Sequence, residues 1–470
     1  MEYRRTKIIA TLGPQCSDQK SAQALVEMGV NCFRINLSHG TAAEKKSYFD
    51  LVRSISQSEQ ERPAILADLA GPKIRISGLN GTMDLKTGEK VIVSNEQNGP
   101  NVIPVSSSVA FQEVNPGAKI MIDDGQIALE VISQVSNHTL ECCTEIPGEV
   151  KNRKGVNFPG IALNVPCLTE QDLIDLELAL SSGADWIALS FTREAKDYHL
   201  VRSRMKNMNF NIPVMAKIEK WEAVENLDEI IETFDAVMVA RGDLGVELPV
   251  ERVPLIQKSV IDKASQAGKP VVIATQILDS MTERPVPTRA EVSDIANAIL
   301  DGADGLMVTG ETAMGVYPQE VIKVLSRVIE ETEAAIDYEK YYTTRGQNLL
   351  STAQAISHAA CSVACDLDVN TLVTMTHSGS TARMTARYRP AARIIAMTPF
   401  PEICRQLAIV WGVTSFIVHK YENADDIPAA AGNVLEKKGI ISKSQKFVIT
   451  GGVPVGVPGT TNYLSVFRLE

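Results

Sequence analysis

Short apolar segments alternate with helical patterns along most of the chain, and each apolar segment ends in Gly, Ser, Thr or a charged residue. Eight of these segments have the pattern of buried parallel strands: 7–13, 32–38, 64–71, 185–191, 214–219, 236–242, 270–275 and 305–311. Helix starts lie between them, for example at Thr169 and at Thr288, where Glu291 completes a capping box. Eight strand–helix units are the number that closes a parallel barrel, so we predict an α/β fold built on a (β/α)8 TIM barrel.

A long insert separates the third and fourth strands. It covers residues 72–166, far more than a normal crossover, and Asp123-Asp124-Gly125 has the pattern of a hairpin turn between two of its strands. We predict a small β-barrel domain here, with Pro72 and Pro166 as stiff hinges at its stems. We interpret the insert as a lid that closes over the barrel mouth. The alternative is that the insert has only a structural role.

The last third of the chain has the pattern of a separate α/β domain. A polar linker at 337–348 precedes further strand–helix units, whose strands are predicted at 371–376, 393–398, 414–420, 446–452 and 463–469. The predicted domains are therefore the barrel (1–71 and 167–337), the inserted lid (72–166) and a C-terminal domain (348–470).

Composition narrows the class of protein. The 470 residues are 44% hydrophobic and 22% charged, which is ordinary for a globular enzyme, and the net charge is −11. An acidic chain of this kind is a poor general binder of nucleic acids or membrane surfaces, so an anion site must be a local basic pocket. No apolar run is long enough to span a bilayer, and the first residues lack the apolar stretch of a secretory signal, so we expect a cytoplasmic protein.

The eight cysteines include no Cys-x-x-Cys pair. Scattered cysteines of this kind are typical of reduced thiols in a cytosolic protein, and they are not expected to form a metal site.

Charged residues close the fifth and sixth predicted strands. Lys217 and Glu219 alternate with Ile218, so both point to the same face of a buried strand. A cation and a carboxylate there are costly unless they bind something. Asp243 follows the sixth strand and supplies a second carboxylate, so we predict a divalent-cation site facing a phosphorylated or enolate-forming substrate.

The second strand carries Arg34, Asn36 and Ser38 on one face. An arginine fork suits a phosphate or carboxylate, although an internal hydrogen-bond network is the alternative. The third strand brings Asp68, and the loop after it brings Lys73 and Arg75.

Three further residues are candidates at the same rim. Gly242 has an amide that an anion can approach closely. Thr275, at the end of the seventh strand, has a hydroxyl that could contact substrate or hold a proton-relaying water. The alternative is that Thr275 has only a capping role. His39, in a Ser-His-Gly turn, is a candidate for orienting substrate or for acting as a base. Arginine, lysine and a metal around one mouth favour phosphoryl transfer, and the chain has no P-loop.

The chain closely resembles the pyruvate kinase family. The resemblance covers essentially the whole chain and is carried, in the family's order, by Thr11-Leu12-Gly13-Pro14, Arg34-Ile35-Asn36-Leu37-Ser38-His39-Gly40, Asp68-Leu69-Ala70-Gly71-Pro72-Lys73-Ile74-Arg75, Lys217-Ile218-Glu219, Arg241-Gly242-Asp243-Leu244-Gly245 and Ala274-Thr275-Gln276. It implies transfer of a phosphoryl group between phosphoenolpyruvate and ADP, giving pyruvate and ATP.

The resemblance also implies residue roles. The catalytic residues would be Lys217, Arg34 and Thr275, and Mg²⁺ (or Mn²⁺) would bind Glu219 and Asp243. The remaining implied contacts are Arg34, Gly242, Asp243 and Thr275 with substrate, and Asn36, His39, Arg75 and Lys154 with the nucleotide.

One departure concerns K⁺. Many family members hold this ion through groups matching Asn36, Ser38, Asp68 and the carbonyl of the next residue, here Leu69, and they usually carry Thr after the Asp and Glu in place of Lys73. In the family, lysine at that position accompanies independence from K⁺, because an ammonium supplies the ion's charge. We therefore expect no K⁺ requirement.

The loop after the first C-terminal strand resembles the family's effector site. It contains Thr376, Ser378, Gly379, Ser380 and Thr381 and precedes a helix predicted at 382–388. The resemblance implies a sugar phosphate or AMP as effector, with 459–462 closing over it, whereas ordinary helix capping is the alternative.

Two other function classes remain open at this level. One is a Mg²⁺-dependent lyase or aldolase that forms a pyruvate enolate on a similar barrel, although such enzymes do not need the insert or Arg75. The other is an inactive metabolite-binding regulator, against which the intact Lys217, Glu219, Asp243 and Thr275 speak. A homotetramer is expected by family analogy alone.

Overall fold

A computed structural model describes residues 3–55, 62–106, 111–163, 165–338, 351–420, 426–454 and 460–469. Most of the predicted linker (337–348) and Gly459 of the predicted closing segment lie outside these ranges. Within them, no helix is both long and apolar enough to cross a membrane.

Eight parallel strands close the predicted barrel. In chain order they are β1 (Lys7–Thr11), β2 (Cys32–Asn36), β3 (Ala64–Asp68), β12 (Trp186–Leu189), β13 (Val214–Ile218), β14 (Ala236–Ala240), β15 (Val271–Ala274) and β16 (Gly305–Val308). Each lies inside one of the eight predicted segments, so this part of the prediction is confirmed.

Helices surround the barrel. They are α1 (Gln19–Glu27), α2 (Ala42–Ser54), α3 (Glu170–Ser181), α4 (Ala195–Asn207), α5 (Trp221–Glu225), α6 (Leu227–Thr233), α7 (Arg241–Glu247), α8 (Val253–Ala267), α9 (Arg289–Asp301), α10 (Gly310–Ala313) and α11 (Pro318–Ala334). Capping boxes start α3 at Thr169 and α9 at Thr288, as the helix-start signals in the sequence indicate.

The insert forms its own all-β unit. Its strands are β4 (Thr82–Leu85), β5 (Lys90–Ser94), β6 (Val102–Pro104), β7 (Lys119–Ile122), β8 (Ile127–Ser136), β9 (Thr139–Ile146), β10 (Gly148–Lys151) and β11 (Val156–Asn157). They divide into a six-stranded sheet (β11-β7-β8-β9-β5-β6) and a two-stranded sheet (β10-β4) around a separate apolar core. The predicted hairpin turn at Asp123-Asp124-Gly125 joins β7 to β8.

The C-terminal domain is a five-stranded sheet. Its strands are β17 (Thr371–Met375), β18 (Arg393–Thr398), β19 (Val413–Ile417), β20 (Lys446–Gly452) and β21 (Thr461–Arg468), and its helices are α12 (Thr352–Asp366), α13 (Ser380–Ala386), α14 (Pro401–Gln406) and α15 (Ile427–Lys437). The sheet order is β19-β18-β17-β20-β21. The edge strand β21 runs antiparallel to β20, a reversal that the pattern of repeated strand–helix units does not predict.

The C-terminal domain closes the N-terminal end of the barrel. Ile409 belongs to the same apolar cluster as the inward-facing barrel residues, and Trp186 Nε1 donates a hydrogen bond to the Gln406 carbonyl at 3.1 Å. Two buried residues join the units again, since the Arg389 guanidinium contacts both carboxylate oxygens of Asp304 at 3.2 Å.

We expect Arg389→Met to lower the free energy of unfolding by about 3 kcal/mol, because it leaves the Asp304 carboxylate buried without its cation. Urea denaturation followed by circular dichroism measures the loss. Lys323→Met is the control, since Lys323 pairs with Glu320 on the exposed surface, where ion pairs contribute little. Equal effects of the two substitutions would contradict the expectation.

Candidate active site

The site lies in the uppermost inward-facing layer of the barrel. Cys32, Leu66, Ala188 and Met215 line the apolar interior. Two positions later come Arg34, Asp68 and Lys217 on the same strands, and Ser190 directly after β12. Because side chains alternate along a strand, the inward face changes from apolar to polar at the C-terminal end of the barrel. This is where the sequence places the chemistry.

Asp68 is the centre of this layer. Its Oδ2 accepts hydrogen bonds from Nε and Nη2 of Arg34, both at 2.7 Å, and its Oδ1 lies 3.4 Å from Lys217 Nζ. Burial alone would raise the pKa of this carboxyl, but Lys217 and then Arg34 outweigh it and hold the pKa below its ordinary value. Asp68 is therefore ionised, and its contacts hold the cationic groups of Arg34 and Lys217 close together at the barrel mouth.

Lys217 is held by three groups. Its ammonium donates to Ser190 Oγ at 2.7 Å and lies 3.3 Å from Glu219 Oε2, in addition to its contact with Asp68. Burial alone would lower the pKa of Lys217, but Asp68 and then Glu219 outweigh it and raise the pKa. The lysine is therefore a fixed positive charge rather than a proton donor.

One buried oxygen of Glu219 lies beside the Lys217 ammonium. Its Oε1 accepts the Phe191 amide at 2.6 Å, whereas its Oε2 lies 3.3 Å from Lys217 Nζ and accepts no hydrogen bond from the described residues. Burial raises the pKa of this carboxyl; Lys217 offsets part of the rise, and the charge of Asp243 adds to it. A buried oxygen of this kind favours a cation that the carboxylate can bind.

Asp243 pairs with Lys73, whose Nζ lies 2.8 Å from Asp243 Oδ1. Burial acts to raise the pKa of Asp243, but Lys73 and then Lys217 hold it below its ordinary value. Lys73 therefore contacts one of the predicted metal ligands, a partner that the sequence does not indicate.

The two carboxylates fit a Mg²⁺ ion. Mg²⁺ usually binds through one or two carboxylates and keeps water or substrate oxygens for its other positions. Over the described ranges, no three His, Cys, Asp or Glu side chains converge into a complete metal cage. The Glu219 oxygen that accepts no hydrogen bond from the described residues and the ionised Asp243 supply the kind of partial oxygen set that Mg²⁺ prefers.

Gly242 and Thr275 contact each other. The Gly242 amide donates to Thr275 Oγ1 at 2.8 Å, and this hydroxyl donates to the Ala274 carbonyl at 2.6 Å. Both groups belong to the predicted substrate contacts, and both lie where the sixth and seventh barrel strands end.

Comparisons with known proteins decide the family. Residues 3–322 match the model of the pyruvate kinase barrel domain, and residues 354–467 match that of the pyruvate kinase alpha/beta domain. The chain belongs to the pyruvate kinase family.

Individual relatives agree with this assignment. The chain is 42% identical over 469 residues to a pyruvate kinase of Sporosarcina psychrophila, and 40% identical over 468 residues to one of Staphylococcus aureus strain MRSA252. Each alignment covers 98% of this chain and 80% of the relative. A crystal structure of a pyruvate kinase from Cryptosporidium parvum is similar over 100% of this chain and 97% of that one, with a TM-score of 0.93 and 32% identity. The predicted family, fold class and phosphotransferase function are confirmed.

Two predicted nucleotide contacts lie on the insert side. Arg75 Nη1 donates to the Arg153 carbonyl at 3.0 Å, and Lys154 Nζ pairs with Asp123 at 2.8 Å. Both side chains are partly exposed. They are therefore not part of the buried network around Asp68.

The second-strand candidates lie beside that network. Asn36 pairs in register with Asp68, and its side-chain oxygen accepts the Ser38 amide at 3.1 Å. The His39 side chain is exposed, and partial desolvation followed by the charges of Arg75 and Arg34 lowers its pKa. It is therefore neutral at physiological pH, which suits orientation more than charge neutralisation.

The predicted effector loop lies apart from the barrel mouth, in the C-terminal domain. Thr381 Oγ1 and Thr461 Oγ1 are 2.8 Å apart, and Ser378 Oγ donates to Ser380 Oγ at 3.2 Å. Gly379 has φ +78°, and a Cβ there would lie 2.8 Å from the Arg383 guanidinium. The helix that follows begins at Ser380, two residues before its predicted start.

Sequence reasoning missed Ser190 and gave Arg241 no role. Ser190 Oγ donates to the Leu69 carbonyl at 2.6 Å and accepts from Lys217, so it links the third and fifth strands. The signal for it was available, because Ser190 follows Trp186 and Ala188 on the inward face of the fourth strand. Arg241 stands in one of the family motifs and contacts the loop that carries Thr275.

Proposed function

We propose that this protein transfers the phosphoryl group of phosphoenolpyruvate to ADP at the mouth of the barrel, giving pyruvate and ATP. The observation that carries the proposal is the Lys217 ammonium, held between Asp68 and Glu219 with the Arg34 guanidinium on the other oxygen of Asp68. Phosphoryl transfer depends on positioning and on neutralising the charge of the group in flight, and two fixed cations supply both.

The carboxylate end of the substrate is proposed to lie at Gly242, Asp243 and Thr275. When the phosphorus–oxygen bond to the substrate breaks, the electron pair remains on the enolate oxygen, and the enolate carbon then takes up a proton. Thr275, acting through a water molecule, is our candidate for delivering that proton.

Glu219 and Asp243 are proposed to hold Mg²⁺ or Mn²⁺, the metal that members of this family generally use. When bound, the ion would neutralise charge on the enolate oxygen and on the phosphoryl group. Glu219 Oε2 supports this assignment, because it is buried and accepts no hydrogen bond from the described residues, with only the Lys217 ammonium at 3.3 Å beside it.

The nucleotide is proposed to lie between the barrel and the insert, against Asn36, His39, Arg75 and Lys154. The insert (72–166) would act as a lid over the barrel (1–71 and 167–337), separate from a C-terminal domain at 348–470. Gly71 supports a sharp turn at the first stem, since its φ is +67° and a Cβ there would lie 2.7 Å from the Phe191 ring.

We propose that turnover does not require K⁺, because the Lys73 ammonium lies at the rim, beside Asp243. The expected result is the same kcat in tetramethylammonium chloride as in potassium chloride, in an assay whose coupling enzyme is independent of K⁺. Turnover that appears only when K⁺ is added would contradict this expectation.

We also propose a regulatory site and an assembly. A phosphorylated effector, a sugar phosphate or AMP, would bind the loop that contains Thr376, Ser378, Gly379, Ser380 and Thr381, where the buried Thr376 hydroxyl makes no hydrogen bond with the described part of the chain. A homotetramer in the cytoplasm agrees with the family. Substrate saturation curves with and without each candidate effector test the loop.

The decisive experiment is a continuous assay of pyruvate formation from phosphoenolpyruvate, ADP and Mg²⁺. Pyruvate and ATP in equal amounts are the expected products. Binding of phosphoenolpyruvate without turnover would instead indicate an inactive regulator, and pyruvate formation that needs no ADP would indicate lyase or hydrolase chemistry.

A further inference from the structure

Two adjacent residues at the end of β15 have a left-handed backbone. Thr275 has φ 66° and Gln276 has φ 53°. Residues other than glycine seldom adopt this conformation, and a β-branched threonine does so only under constraint. Such backbone persists where the surrounding structure holds it, and it is concentrated at functional sites.

Arg241 is the group that holds this backbone. Its Nη2 donates to the Thr275 carbonyl at 2.9 Å and to the Gln276 carbonyl at 3.0 Å, and its Nε lies 3.3 Å from the first of these oxygens. One guanidinium therefore donates hydrogen bonds to both residues that have a left-handed backbone.

The guanidinium is itself anchored on its other side. Nη1 donates to Asp294 Oδ2 at 2.6 Å and to Gln257 Oε1 at 3.4 Å, and the arginine side chain is only 10% exposed. Asp294 belongs to α9 and Gln257 to α8, so two barrel helices fix the position of the arginine.

Gly242, the residue after Arg241, also hydrogen-bonds to Thr275. The Gly242 amide donates to the Thr275 hydroxyl, while Arg241 donates to the Thr275 carbonyl. The start of α7 therefore controls both the backbone and the side chain of Thr275. From the far side, buried Glu311 accepts the Leu278 amide at 3.1 Å and fixes the other end of the loop.

We propose that Arg241 is a positioning residue for phosphoryl transfer. Held by Asp294, it keeps Thr275 and Gln276 in the left-handed conformation that directs the Thr275 hydroxyl to the substrate's carboxylate end. It acts through Thr275 and makes no contact with substrate. This inference rests on the proposed function.

Lysine cannot replace the arginine in this role. The planar guanidinium reaches two successive carbonyls and a carboxylate at once, whereas an ammonium is a single point on a flexible stem. We therefore expect Arg241→Lys to lower kcat by roughly 30-fold, since a 1 Å misplacement can cost about 100-fold in rate. The KM for ADP should not change, because the nucleotide is proposed to bind at the other side of the mouth.

A matched pair of substitutions on α9 provides the control. Asp294→Asn removes the charge that anchors Arg241, and we expect it to lower kcat in the same direction as Arg241→Lys. Asp301→Asn removes a carboxylate from the same helix that pairs with Lys258 instead, and it should behave like wild type. Equal kcat values for Arg241→Lys, Asp301→Asn and wild type would overturn the inference.

Rescue by glycine separates positioning from other roles. Glycine adopts the left-handed conformation without strain, so Gln276→Gly added to Arg241→Lys should recover several-fold in kcat. No recovery would overturn the positioning role, because a guanidinium that acts on substrate, or one that only stabilises the fold, is not replaced by glycine. A wild-type enzyme without activity would instead refute the proposed function, so the two failures are distinguishable.

Discussion

Lys217→Met is expected to turn over at roughly one thousandth of the wild-type rate or less, since transition-state cations of this kind contribute about 10³-fold or more to phosphoryl transfer. The physical reason is the loss of a positive charge that three groups fix at the barrel mouth. Asp68 keeps its two hydrogen bonds from Arg34, so its charge remains compensated. Saturation kinetics at high Mg²⁺ measure the loss in kcat.

Lys45→Met is the matched control for this prediction. Lys45 is also a buried lysine, but its ammonium pairs with Asp175 at 2.7 Å between helices α2 and α3 and makes no contact with Asp68, Glu219 or Asp243. Its loss should lower the melting temperature and leave the kcat of the folded enzyme nearly unchanged. Similar losses of kcat in both variants would show that Lys217 matters for folding rather than for chemistry.

Glu219→Gln is expected to weaken Mn²⁺ binding by roughly a hundredfold or more, since even outer-shell partners of a metal contribute about 10- to 100-fold to affinity. The amide keeps the size of the side chain and can still accept the Phe191 amide, but it removes the negative charge of the oxygen that lies beside Lys217 and accepts no hydrogen bond from the described residues. Electron paramagnetic resonance of free Mn²⁺ measures binding without relying on turnover, and the same variant should be nearly inactive.

Glu222→Gln provides the comparison. Glu222 is three residues further along the chain, and it is also a buried carboxyl with an unpartnered oxygen and a pKa that burial raises. It lines a cavity between the barrel and the insert rather than the network around Lys217. Its amide variant should bind Mn²⁺ like wild type, and an equal loss of affinity in both variants would refute the assignment of the metal to Glu219.

Local signals in the sequence account for most of the fold. Eight apolar segments with polar ends predict eight barrel strands, because the period of two and the strand length are encoded within each segment. The hairpin at Asp123-Asp124-Gly125 and the helix starts at Thr169 and Thr288 are equally local. The antiparallel β21 was not predictable in this way, since strand direction depends on how a distant segment packs.

The sequence predicts those parts of the site whose residues lie close together on a single strand. Lys217 and Glu219 share a face within three residues, and the structure places them 3.3 Å apart. Lys73 pairs with Asp243, which lies 170 positions away in the sequence. Arg241 donates hydrogen bonds to backbone carbonyls, and every residue has such a carbonyl, so the sequence does not indicate which ones it contacts. Contacts of these two kinds require the folded chain.

The position of Ile409 has a consequence for dissecting this enzyme. A shortened protein that ends after α11 would lack Ile409, which closes the N-terminal end of the barrel. Solvent would then reach the apolar barrel interior, which is lined by side chains such as Met215 and Met307. Water would then reach the layer directly beneath the catalytic groups. Exchange of the C-terminal domain between relatives should therefore succeed only when the donor supplies an apolar side chain of similar bulk at the position of Ile409.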